Sequence, residues 1–96
     1  MSYTSHQTIG TALDAFFKKS GYYSHIKEAE IREQWSSIVG TMFAKATTNI
    51  AFKNKTMFVS VNSAAIKQEL FLNRTTIVYR INEKIKEPYI KEIIFR

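Results

Sequence analysis

Between Thr8 and Ser20 apolar residues recur at Ile9, Ala12, Leu13, Phe16 and Phe17. This is the single stripe of an amphipathic helix. Thr8 is placed to cap its start and Ser20-Gly21 to stop it, after which Tyr22 and Tyr23 cross a short connection. A second stripe of Ile31, Trp35, Ile38, Val39 and Met42 predicts a buried helix face. That helix should begin near Ser24, with Glu28 and Glu30 where the macrodipole favours acids. Gly40 interrupts it, at about 1 kcal/mol relative to alanine in a helix interior. A glycine there marks a close backbone approach or a break, with Thr41 to Ala46 completing the helix.

From Thr47 the period changes. Thr48 to Phe52 is a short β-prone run, and Lys53-Asn54-Lys55 is a turn. In Thr56 to Asn62, Met57, Val59 and Val61 alternate with Phe58, Ser60 and Asn62, the period of a strand. Asn54 is the residue best able to adopt a left-handed conformation, so the two runs form a hairpin. Ser63 then caps a helix whose stripe is Ile66, Leu70, Ile77, Ile81 and Ile85, with a bend near Asn73 to Thr76. Pro88 ends it, because the residue before proline is pushed out of the helical region. Ile90 to Arg96 is a final strand. The predicted order is α-α-β-β-α-β, an α+β fold with a three-stranded sheet packed against helices. The expected core includes Leu13, Phe16, Trp35, Val39, Val59, Val61 and Leu70.

Length and composition narrow the function. Ninety-six residues make one domain, expected over residues 8–96 behind a flexible leader of residues 1–7. A hydrophobic share of 45% is too high for a disordered segment. Without cysteine, disulfides and thiolate chemistry are excluded. The polar N-terminus has no signal-peptide pattern and no apolar run is long enough to span a membrane. The chain is therefore expected to be cytoplasmic.

Nothing points to catalysis. His6 and His25 have no acid or nucleophile at a recognisable spacing, and the three glycines are too scattered for a phosphate-cradling loop. Glu28, Glu30 and Glu33 read as an acidic helix start rather than as metal ligands. Neither enzyme activity nor a metal or cofactor is expected.

Charge is more informative. Residues 1–43 balance four basic against four acidic groups, whereas residues 44–96 carry ten basic against four acidic. Such asymmetry suits a polyanion or an acidic protein surface. Lys45 ends the second helix, Lys53 and Lys55 flank the hairpin turn, and Lys67 and Arg74 fall seven apart on one helical face. These five are the candidate phosphate-tracking residues, and a solvated lysine turn is the alternative. Phe16, Phe17 and Trp35 read as packing, while Phe58 and Tyr79 lie off the main stripes.

The order of motifs is itself distinctive. Thr8-Ile9-Gly10 with Ala12-Leu13 leads to Ile31-x-x-x-Trp35-x-x-Ile38-Val39-Gly40 and then Ala44-x-x-Thr47. Met57-x-Val59-x-Val61-x-Ser63, Gln68-Glu69-Leu70, Ile81-Asn82 and Ile93-x-Phe95-Arg96 follow. Over roughly residues 8–96 the chain resembles the DciA-like family. The resemblance implies a KH-like fold and a non-enzymatic accessory role in bacterial DNA replication. Its implied partners are the replicative helicase and, weakly, single-stranded DNA. There is no Gly-x-x-Gly loop, so backbone clamping in the manner of ordinary KH domains is not expected. Two other readings stay open: an RNA- or ribosome-associated KH-like binder, and a homodimeric interaction domain.

Overall fold

The computed structural model describes residues 21–96. The expected leader and the helix from Thr8 to Ser20, with Leu13 and Phe16, lie outside the described residues. Seven elements follow in order: α1 (Tyr22–Val39), α2 (Thr41–Lys45), β1 (Thr47–Lys53), β2 (Thr56–Val61), α3 (Ala64–Leu72), α4 (Arg74–Ile85) and β3 (Glu92–Phe95). The architecture is α+β. The two long helices of the periodicity reading are each split in two.

Helix α1 starts two residues before Ser24, because Gly21 at φ 83° turns the chain directly into it. Tyr22 and Tyr23 are thus its first turn and not a connection. Glu28 and Glu30 consequently lie beyond the first turn, too far along for the dipole effect expected of them. Glu28 instead accepts from the Tyr89 hydroxyl at 3.2 Å. Tyr23 donates to the Glu87 carboxylate, which also sits 3.5 Å from Lys27. These contacts pin the segment after α4 onto α1. Burial, with the neighbouring Glu28 carboxylate adding to it, holds the Tyr89 hydroxyl pKa above its ordinary value, against a lowering by the bond to Ser24.

Gly40 is a corner. Its φ of 96° and ψ of 156° belong to a region open essentially to glycine alone, and a Cβ there would meet nothing within 4 Å. Backbone freedom, not close approach, is what the position requires. The break redirects α2, so Met42 leaves the stripe on which the periodicity placed it and is 67% exposed. Thr47 ties the corner to the core: the Trp35 indole donates to its hydroxyl at 3.0 Å, and that hydroxyl donates to the Phe43 carbonyl at 3.1 Å.

The hairpin turn holds both Asn54 (φ 50°) and Lys55 (φ 65°) in the left-handed region, the two-residue geometry that matches strand twist. Strands β1 and β2 are antiparallel, β2 and β3 parallel, and the order is β1-β2-β3. Between β2 and β3 the chain crosses over through α3 and α4. Ser63 caps α3 by accepting from the Ile66 amide. Asn73 separates the two helices, donating its side-chain amide to the Glu69 carbonyl at 2.9 Å. Lys86, left-handed at φ 61°, ends α4 before Pro88.

One face of the sheet presents Met57, Val59 and Ile93 to Ile31, Trp35 and Ile38 of α1, Leu70 of α3, and Ile77, Ile81 and Ile85 of α4. Trp35, Val59 and Leu70 are buried, whereas Val39 and Val61 are half-buried against the same core. The final strand is shorter than its pattern suggested. Before it, the Asn82 side chain donates to the Ile90 carbonyl and accepts from the Ile90 amide, both at 2.9 Å. That carboxamide does for Ile90 what a neighbouring strand would do.

Candidate nucleic-acid interface

The five candidate basic residues do not form one cluster. Lys53 and Lys55 sit exposed at the hairpin tip, and the Lys55 carbonyl accepts from the Lys91 amide at 3.0 Å. Lys45 is exposed at the end of α2, where the ladder opens with Thr47 opposite Val61. The tip closes with Lys53 opposite Thr56, so the length of β1, about 20 Å at strand rise, separates Lys45 from the tip pair.

Lys67 and Arg74 belong to different helices, because Asn73 breaks the face on which the sequence placed both. They nevertheless border one groove, between α3–α4 and β3. Arg74, Phe71, Thr75 and Val78 face Lys91 to Phe95 across a cavity of about 290 Å³. Lys67, Ala64 and Gln68 meet Phe71 and Phe95 in an adjoining cavity of about 310 Å³. Arg74 is held in place: it donates to the Phe71 carbonyl at 2.9 Å, and its guanidinium lies 4.1 Å from the Phe71 ring centroid. At the start of α4 a cation opposes the dipole, yet the same cation satisfies a last-turn carbonyl of α3.

Lys91 and Phe71 were missed by the sequence reading. Phe71 lies one residue past the buried Leu70 and is 46% exposed, and Arg74 three residues on was the signal that could have found it. Lys91 gave no local signal, since its place depends on the parallel pairing of β3. With it, a basic track runs from Lys67 past Arg74 and Lys91 to Lys55 and Lys53, interrupted by Glu92. Phe58 lies half-buried on the opposite sheet face, with the Arg96 guanidinium 4.7 Å from its ring centroid, and Tyr79 is exposed on α4. Among the described residues no three His, Cys, Asp or Glu side chains converge as metal ligands would, and no helix is long and apolar enough to cross a membrane.

Comparison with known families decides the relationship. The family described as Dna[CI] antecedent, DciA matches residues 8–95. The chain belongs to the DciA family. That span takes in every element described above, and the family ties the domain to DNA replication and helicase loading. Searches of curated proteins and of solved structures gave no match. Several residues of the DciA motif order have visible structural work. Trp35 and Thr47 bond each other, Gly40 makes the corner, Ser63 caps α3, and Asn82 holds Ile90.

Proposed function

We propose that this DciA-family domain is a non-enzymatic replication accessory module that binds the replicative helicase and, weakly, single-stranded DNA. The observation that carries the DNA part is the basic track along the β3 side and hairpin tip. Lysines at a two-residue turn and along a groove rim follow a phosphate backbone without reading bases. A βααβ unit whose two strands, β2 and β3, pair in parallel supports the KH-like reading, while the α3–α4 turn, Leu72-Asn73-Arg74, has no glycine for backbone clamping. Lys45 contributes from the far end of the sheet, as a separate contact.

Fluorescence anisotropy with oligothymidylate across a salt series tests this. Each phosphate contact contributes about −0.7 to the log–log slope for single strands. Replacing Lys53 and Lys55 with Gln should weaken binding and flatten the slope by roughly 1.4, with a stability change below ~0.5 kcal/mol. An unchanged slope would leave the hairpin as a solvated turn. Capture from a lysate separates the partners: recovered helicase supports the reading, whereas ribosomal proteins or a second copy alone would replace it.

A further inference from the structure

Among the described residues strand β3 is one of the two outer strands of the sheet, β1 being the other. Its Arg96 end bonds inward, donating to the Val59 carbonyl and accepting from the Val61 amide, both at 2.8 Å. In a parallel ladder alternate residues bond the neighbour, so Ile93 and Phe95 turn their N–H and C=O groups away from β2. They turn them toward the groove that both residues line with Phe71, Arg74, Thr75 and Val78. An extended chain repeats its donor and acceptor every two residues, about 6.6 Å, which is the spacing this edge offers.

We propose that this groove binds an extended peptide of a partner protein by strand addition to β3, the peptide carrying a short alternating apolar run with acidic residues at both ends. The edge supplies the main-chain bonds, and Phe71, Val78 and Phe95 supply the apolar floor. Lys67 borders one end, with Arg74 and Lys91 toward the other, and Glu92 is the one acid among the described lining residues, so the charge complement is negative at both ends. A nucleic-acid base is the weaker occupant of the floor. The Arg74 guanidinium already lies over the Phe71 ring on which a base would stack. The inference goes beyond the DNA reading and does not depend on it.

The test uses the whole chain and a fluorescein-labelled synthetic peptide, Asp-Glu-Val-Thr-Val-Thr-Val-Asp-Glu, beside a counterpart with lysine in place of every acid. The acidic peptide should bind at least about tenfold tighter than the lysine-ended one. On binding, it should slow hydrogen exchange at the Ile93 and Phe95 amides by about tenfold or more, leaving the β1 amides unchanged. Lys67→Glu with Arg74→Glu should weaken it by about tenfold, whereas Lys53→Gln with Lys55→Gln should not. The exchange readout on the unmodified chain stands even if the charge-reversed variant fails to fold. Equal binding of the two peptides would overturn the proposal, as would binding without protection at Ile93 and Phe95. Protection of those amides by oligothymidylate but not by the peptide would assign the groove to nucleic acid instead.

Discussion

Along β1 the outward carbonyl of Ile50 is taken at 3.0 Å by Arg32 of α1, whose guanidinium also lies 5.0 Å from the Phe52 ring centroid. The far end of the same strand is irregular, with a register shift between Thr47 and Asn49. Along β3 the outward groups of Ile93 and Phe95 face, among the described residues, the groove lined by Phe71, Arg74, Thr75 and Val78. Exposed strand edges recruit other chains, and proteins block them with charge, bulges or cover. Here one edge has a charge and a register shift, and the other, among the described residues, lines a groove between β3 and the α3–α4 pair with an apolar floor. The difference is one of chemistry: a guanidinium occupies an outward carbonyl of β1, whereas Arg74 and Lys91 stand beside an apolar floor along β3.

Trp35 underlies the β1 side and is 4% exposed, so Trp35→Ala should cost ~3–5 kcal/mol, a large part of the ~5–15 kcal/mol available to a domain. Thermal melting reads this directly, and an unchanged melting temperature would mean that the indole is not part of the core. Asn82→Ala should cost about 1–3 kcal/mol by leaving the Ile90 backbone groups unsatisfied. Hydrogen exchange should then quicken at β3 before β1, and uniform quickening would show that Asn82 does not hold that edge in particular.

Arg32→Ala sharpens the contrast from the other side. It should lower stability by only about 0.5–1.5 kcal/mol while opening the β1 edge. Sedimentation should detect more self-association than in the parent at equal concentration, and a variant sedimenting like the parent would show that Arg32 does not block pairing. The smallest effect is expected at Tyr89, beside the approach to β3. Its folded pKa is raised, so its contribution is full below the ordinary tyrosine value near 10 and is lost only as pH rises through the folded value. Tyr89→Phe should make stability less sensitive to pH above about 10, as followed by chemical denaturation.

Much of this molecule was legible in its local patterns. Period-two alternation in Thr56 to Asn62 and the Asn54 turn identified the hairpin, and Ser63 and Pro88 bracketed the helical stretch between β2 and β3. The stripe of Ile31, Trp35 and Ile38 pointed inward, and the motif order named the family. These features depend on each residue's neighbours within a few positions, which is what periodicity and capping report. The rest depended on distant pairings. Gly21 and Gly40 chose backbone conformations that moved a helix start and turned Met42 outward. Asn73 put Lys67 and Arg74 on different helices, and the parallel docking of β3 then returned them to one groove with Lys91. Local pattern says which side of an element is apolar. Which carbonyl Arg32 reaches, which backbone groups Asn82 satisfies and which edge lines the groove are decided only when elements far apart in the chain pack together.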